Sequence, residues 1–294
     1  MQVAWPKNIF AKQLTDTTGP RLILSHPLVL AQKTVSFYLS LHLPMPRTFQ
    51  SWFGSVSPHL NFQYRRRVLK ELLIDGGGYG TGQGNGDLSE LIMTNSHGFI
   101  AVIIQYRLGA FGFLSSAELA NYGIPNVGLY DQQYSLEWVQ KYIHSFGGDP
   151  SRVTISGESA GGGAVMLQVL ANGGTLGTSL FNNAIVASPY LPQQWEYDGI
   201  APSQSYYLFA QAAGCLGLGT SVGVTETVFS CLQNAETLVL QNASAYVSAG
   251  GKYGQWAFLP VTDGTFLQKR PSEQLLAGEV NGLRILSGVH PFLH

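Results

Sequence analysis

Charge is what this chain of 294 residues has least of: Asp, Glu, Lys and Arg together make up 11%, and the formal net charge is −1. That balance argues against nucleic acid or an anionic membrane surface as a partner, because both are recognised largely by clustered cations. No basic cluster exceeds Arg65-Arg66-Arg67, which reads as a solvated patch. Cysteine is nearly absent as well. Cys215 and Cys231 exclude a zinc cluster and leave room for one bridge, and their spacing fits two independent buried thiols equally well. If joined, they would close a loop stabilised by about 3 kcal/mol in the chain-entropy model. Long apolar runs are also missing. The longest, such as Phe99-Ile-Ala-Val-Ile-Ile104, is far too short to span a bilayer and fits a buried strand. The first residues lack the basic-then-apolar layout of a secretory signal, so the expectation is an intracellular protein or one whose true beginning lies elsewhere. Histidine runs out after residue 159, with only His290 and His294 remaining.

What the chain does have is 45% apolar residues, enough for a sizeable core, and one well-formed stretch. In Val153-Thr-Ile-Ser-Gly-Glu-Ser159-Ala160-Gly161, a β-branched run is followed by a sharp Gly-x-Ser-x-Gly turn and then by helix-compatible residues through Leu170. A serine at such a turn is pushed out of the sheet with its hydroxyl exposed. The flanking glycines let strand and helix approach closely. Upstream, residues 72–74 end a strand and Asp75-Gly-Gly-Gly-Tyr-Gly-Thr-Gly82 is a glycine-dense loop. Residues 100–105 form a second buried strand. A helix over 131–145 follows from the spacing of Leu136, Val139 and Ile143, with Gly147-Gly148 as its stop. Further strands are expected at 184–187 and 283–286, and helices at 203–213, 225–233 and 271–277. Strands alternating with helices, each strand apolar on both sides, imply an α/β protein with a mostly parallel central sheet and helices on both faces. Residues 1–68 show no sustained period and form a poorly determined N-terminal segment.

A serine hydroxyl needs a histidine as general base, a carboxylate to hold that histidine, and donors for the oxyanion. In a strand-turn-helix elbow the N–H of Ala160, just after the serine, points from the helix N-terminus into the developing charge. Gly76, Gly77 and Gly78 lack side chains, so their N–H groups can converge on one point. The same loop also reads as a flexible turn or a phosphate cradle. No Gly-Lys-Ser/Thr follows it, which disfavours nucleotide binding.

Several further motifs stand in linked order: Gln105-Tyr-Arg-Leu-Gly-Ala-Phe-Gly-Phe-Leu114, Asn126-Val-Gly-Leu-Tyr-Asp131-Gln, Trp138-Val-Gln and Phe146-Gly-Gly-Asp-Pro150. Together with Asp75-Gly-Gly-Gly-Tyr79 and Gly157-Glu-Ser-Ala-Gly161, this order and spacing resembles the type-B carboxylesterases, the family of the cholinesterases and fungal esterases and lipases. The resemblance covers about residues 72 to 288. It implies an α/β-hydrolase fold and a serine carboxylic-ester hydrolase without metal or organic cofactor, acting on a small-molecule or lipid ester. By position it implies Ser159 as nucleophile and Gly77, Gly78 and Ala160 as the oxyanion hole. Asp75 stands where many relatives carry histidine or another polar residue. The resemblance further implies a Cys215–Cys231 disulfide, an extracellular protein, and structural roles for Arg107, Asp131 and Glu158. Trp195 reads equally as pocket lining or core packing. Asn242-Ala-Ser244 is the one glycosylation sequon, a pattern common by chance.

The resemblance breaks at both ends. Family members carry the triad acid in a Gly-x-x-x-x-Glu-Gly segment; counted from Gly288, that position holds Leu293. His290 and His294 lie in a hexapeptide that does not match. His26, His42, His59, His97 and His144 precede the nucleophile and read as surface or core. The expectation is therefore that residues 69–294 are the N-terminal portion of one α/β-hydrolase domain, truncated before its C-terminal part and with little or no turnover alone. At the other end, shifting residues 31–40 by one base permits Ser-Glu-Asp-Cys-Leu-Phe-Leu-Ser-Val, the family's usual strand, which suggests that the first 68 residues are read out of frame. The alternative reading is a non-catalytic cholinesterase-like binding or adhesion domain, or a pseudoenzyme. Oligomeric state is not legible.

Overall fold

The structure, a computed structural model, describes residues 36–40, 59–63, 69–216, 227–251 and 256–289. Seven strands form one sheet: β1 (Ser36–Ser40), β2 (His59–Gln63), β3 (Leu69–Ile74), β4 (Phe99–Ile103), β5 (Val153–Glu158), β6 (Asn183–Ala187) and β7 (Arg284–Gly288). Their order is β1-β2-β4-β3-β5-β6-β7. From β4 to β7 all pairings are parallel, whereas β1 and β2 form an antiparallel margin. That margin lies in the stretch where the sequence showed no pattern. Two five-residue strands at the edge of a sheet do not generate a readable period.

Nine helices are described: α1 (Ser89–Thr94), α2 (Ala110–Phe113), α3 (Ala117–Tyr122), α4 (Val127–Tyr142), α5 (Ala160–Leu170), α6 (Ile200–Ala212), α7 (Val228–Asn234), α8 (Thr237–Ala249) and α9 (Pro271–Leu276). The helix expected over 131–145 starts earlier, at Val127, because Asn126 adopts a left-handed conformation that begins it. The short α1, α2 and α3 and the longer α8 carry no clear sequence signal.

β5 lies at the centre of the parallel part of the sheet and α5 packs over it. Both depend on close main-chain approach: a methyl on Gly157 would sit 2.4 Å from the Gly161 carbonyl, and one on Gly161 would sit 2.0 Å from the Ile74 oxygen. The far end of α5 is held by amides. Asn281 donates from Nδ2 to the Gln168 and Ala171 carbonyls, and Gln274 donates from Nε2 to that of Leu170. The Gln168 carbonyl also accepts from the Ala171 N–H that caps the helix, and the two side chains supply further donors to the carbonyls at this end. Ile74, Leu72, Ile155, Val165 and Leu167 fill the core around this unit.

The disulfide joins Cys215, just after α6, to Cys231 in α7. No helix among the described residues is long and apolar enough to cross a membrane.

Candidate active site

At the junction of β5 and α5, Ser159 takes φ 58° and ψ −122°, a conformation that a non-glycine residue holds only under constraint. The constraint is visible in its main chain. The Ser159 N–H donates to the Ala187 carbonyl at 3.0 Å, and its own carbonyl accepts from Gly163 at 3.0 Å and from Tyr190 at 2.7 Å. With both backbone polar groups tied down, the side chain is left half-buried at the carboxyl edge of the sheet. That edge is where ligands bind in open parallel sheets.

The glycine loop lies directly against it. A methyl on Gly76 would come within 3.3 Å of the Ser159 Cβ. Gly77, Gly78 and Tyr79 follow with φ of 96°, 63° and 64°, three left-handed residues in a row. The turn is closed by Gly80 and Thr81, which donate to the Gly77 carbonyl. Among the described residues, the N–H groups of Gly77, Gly78 and Ala160 have no protein acceptor. The Asp75 carboxylate spans the loop, accepting from the Gly76 N–H at 3.0 Å and the Gln83 N–H at 3.1 Å. Asp75 thus braces the loop's two ends.

Below the loop is a buried aromatic floor. Tyr79 packs edge-on against Phe113 with ring centroids 5.2 Å apart, and its hydroxyl donates to the Tyr190 carbonyl at 3.4 Å. Burial holds the Tyr79 phenol well above its ordinary pKa. Tyr106, which donates to the Asp75 carbonyl at 2.9 Å, is pushed up by burial and then by the Asp75 charge. Above the loop stands Trp256, which sequence reasoning did not single out: a methyl on Gly78 would fall 1.9 Å from its ring. The Trp256 segment is anchored by Asn126, whose amide exchanges hydrogen bonds with the Val261 main chain and donates to Asp263. The glycines of the loop therefore serve two ends, a left-handed path and a seat for an indole.

The remaining predicted residues fall elsewhere. Arg107 and Asp131 make a two-pronged ion pair of 2.7 and 2.6 Å, with a third bond from the Arg107 N–H. Glu158 is exposed. Trp195 lines a groove of 460 Å³ with Leu191, Pro192 and Ile200, where the sequence left core packing open. Asn242 is exposed on α8, while the hydroxyl of its sequon partner Ser244 is buried and accepts from the Ala110 N–H. His97 leads into the start of β4 and His144 precedes the start of β5. Both therefore lie towards the edge of the parallel sheet opposite Ser159. His26, His42, His290, His294 and Leu293 lie outside the described residues, as do residues 1–35, 41–58 and 64–68 in general. Among the described residues, no group of three His, Cys, Asp or Glu side chains is placed to hold a metal ion.

Known proteins similar to this chain bear on its family and its fold. The model of the carboxylesterase family matches residues 68–291. The chain is 37% identical over 194 residues to carboxylesterase patB of Aspergillus clavatus, which covers 65% of this chain and 33% of that protein. A secreted lipase of Arthroderma benhamiae is 36% identical over 61% of this chain and 34% of its own length. The secreted triacylglycerol lipase LIP1 of Gibberella zeae is 34% identical over 73% of this chain and 37% of its own. The chain thus spans about a third of the length of these curated relatives. Among solved structures, Aspergillus niger EstA superposes with a TM-score of 0.67 at 29% identity, covering 78% of this chain and 44% of that one. PNB esterase gives 0.66 at 25%, covering 81% and 50%.

Proposed function

The chain belongs to the carboxylesterase family, and from that premise we propose that Ser159 is the nucleophile of a carboxylic-ester hydrolase working through an acyl-serine intermediate. The observation that carries this reading is the elbow itself: a constrained Ser159 facing a left-handed glycine loop. Ser159 Oγ would attack the ester carbonyl carbon, and the carbonyl electrons would move onto oxygen. The unpaired N–H groups of Gly77, Gly78 and Ala160 would receive that negative charge. Collapse expels the alcohol, which takes up the serine proton, and water then cleaves the acyl-serine. No metal or organic cofactor enters these steps.

Among the described residues, the Ser159 hydroxyl has no hydrogen-bond partner to take its proton. An oxyanion hole and binding alone leave a rate several decades below that of an intact triad. We therefore expect slow turnover by this chain. The names of its relatives, a carboxylesterase and two lipases, support small-molecule or lipid esters as substrates. Their description as secreted, together with the Cys215–Cys231 bridge, supports an extracellular location.

The test is covalent labelling with a fluorophosphonate, read by intact mass and peptide mapping, beside hydrolysis of p-nitrophenyl butyrate. One adduct on Ser159, absent in Ser159→Ala, is expected. A second reading, a non-catalytic binding domain, is favoured by the Ser159 hydroxyl having no hydrogen-bond partner among the described residues. It predicts no adduct even after prolonged exposure, and that result would overturn the esterase assignment.

A further inference from the structure

Three asparagines in the sequence are followed by glycine: Asn85, Asn172 and Asn281. Such a step is chemically weak. The main-chain nitrogen of the glycine can attack the side-chain carbonyl carbon of the asparagine, and no Cβ obstructs the approach. In a folded chain the reaction needs two freedoms. The asparagine side chain must be able to swing onto that nitrogen, and the glycine N–H must be able to shed its proton. The structure treats the three steps differently.

At Asn281 both freedoms are gone. The residue is 3% exposed, its Nδ2 donates to the Gln168 and Ala171 carbonyls, and its Oδ1 accepts from the Gly177 N–H. The attacking group, the Gly282 N–H, is itself bonded to the Gly177 carbonyl at 2.8 Å. Asn172 is held by side chain and main chain alike. Its Nδ2 donates to Gln133 at 3.0 Å, its N–H donates to the Phe266 carbonyl at 2.8 Å, and its carbonyl accepts from the Thr175 hydroxyl at 2.7 Å.

Asn85 has neither restraint. It is exposed, and among the described residues neither its side chain nor the Gly86 N–H has a hydrogen-bond partner. The chain is fastened on either side instead. Gly84 is buried, and a methyl there would sit 2.7 Å from the Ile104 oxygen just past β4; Asp87 accepts from the Ser89 N–H at 2.9 Å. Asn85 and Gly86 are the open tip between these anchors. A methyl on Gly86 would meet nothing nearer than the Ile103 side chain at 3.9 Å.

We propose that Asn85-Gly86 is a site of spontaneous deamidation in the folded chain, with water as the reactant. The Gly86 nitrogen bonds to the Asn85 Cγ and gives its proton to solvent. The Cγ–Nδ2 bond breaks, and the leaving nitrogen takes up a proton and departs as ammonia. Water then opens the cyclic imide. Attack at Cγ yields aspartate, and attack at the main-chain carbonyl yields isoaspartate, in which the chain runs through Cβ and Cγ. The net change is an amide plus water to a carboxylic acid plus ammonia, with nothing oxidised or reduced. Either product adds a negative charge to a chain whose formal charge is −1. The tip closely follows Gln83, whose N–H the Asp75 carboxylate holds, so isoaspartate lengthens the main chain just beyond the brace on the glycine loop.

The test is prolonged incubation of the full chain at mildly alkaline pH in heavy-oxygen water, followed by peptide mapping that separates aspartate from isoaspartate. Asn85 should lose its amide, take up oxygen from water and give a mixture of both acids. Asn172 and Asn281 react only from locally opened states, so each should lose its amide at least about tenfold more slowly. In concentrated urea the three rates should converge, because folded structure is what separates them. Gly86→Ala, which the space around Gly86 accommodates, should slow the loss at Asn85 many-fold, since a Cβ obstructs ring closure. Asn85→Asp has no amide to lose there and should not form the more acidic species that the wild type acquires on isoelectric focusing. The proposal is overturned if Asn85 keeps its amide in the folded chain, or if Asn172 or Asn281 reacts as fast without denaturant. It is equally overturned if Gly86→Ala reacts at the wild-type rate or Asn85→Asp acidifies as the wild type does. None of these measurements reads Ser159, so their outcome is separable from that of the esterase assignment.

Discussion

Replacing Gly161 by alanine tests how the elbow is built. The added methyl would lie 2.0 Å from the Ile74 oxygen and 2.9 Å from that of Asp75, whereas ordinary contact begins at 3.4 Å. Both neighbours are main chain, so no rotamer change relieves the clash; α5 and the end of β3 must separate by roughly 1 Å or more. Overpacking of this kind costs about 1–3 kcal/mol, and a clash of two backbones belongs at the upper end. Alanine's better helix propensity returns about 1 kcal/mol. The net expectation is a loss of about 2 kcal/mol, which lowers a urea midpoint by about 1 M at unchanged m-value. The end of β3 also launches the glycine loop, so fluorophosphonate labelling of Ser159 should slow alongside. Gly177→Ala is the comparison: its φ is +56° but nothing lies within 4 Å, so the cost is backbone strain alone, about 1–2 kcal/mol, with no effect on labelling. If Gly161→Ala unfolds at the wild-type midpoint and labels at the wild-type rate, the close approach of strand and helix does not set the elbow.

Two further outcomes follow from buried groups. Asp131→Ala leaves the Arg107 guanidinium, only 11% exposed, without its carboxylate, and should cost about 3–5 kcal/mol; the Arg107→Met/Asp131→Leu pair should recover most of that in a double-mutant cycle. At high pH, Tyr79 and Tyr106 keep their protons in the folded state beyond the ordinary value of 10.0. Their contribution is complete below that value and is lost as pH rises above it, because the unfolded chain ionises first. Stability measured by denaturant across this range should fall, and Tyr79→Phe should flatten the fall. At neutral pH the same variant should lose less than about 1 kcal/mol, because the hydrogen bond given up is long at 3.4 Å.

The strand-turn-helix at Ser159 was legible because three local signals coincide there: a β-branched run, glycines two residues to each side, and helix-forming residues after them. The mostly parallel character of the sheet was legible from strands alternating with helices, most clearly at β4, where Phe99–Ile103 is apolar throughout and buried on both faces. The antiparallel margin of β1 and β2 was not, and neither was α8, whose exposed Leu238 and Tyr246 blur the contrast between an inner and an outer face. Trp256 could not have been found by motif. Its role is to rest on Gly78, a contact between residues far apart in the chain. Asn281 and Gln274 were equally silent, because an amide that caps a distant helix looks like any surface amide in sequence.

Local chemistry in the sequence therefore determined the elbow at Ser159, the glycine loop and the class of fold, since each depends on neighbours within a few residues. Tertiary structure alone decided what encloses the site: the Asp75 brace between Gly76 and Gln83, the indole seated on the loop, and the positions of His97 and His144 towards the far edge of the sheet. It also decided that, of the three Asn-Gly steps, the one at Asn85 is exposed with its side chain unbonded among the described residues, whereas Asn172 and Asn281 are held. Sequence records where a reactive pair stands, but only packing determines whether its two groups are kept apart.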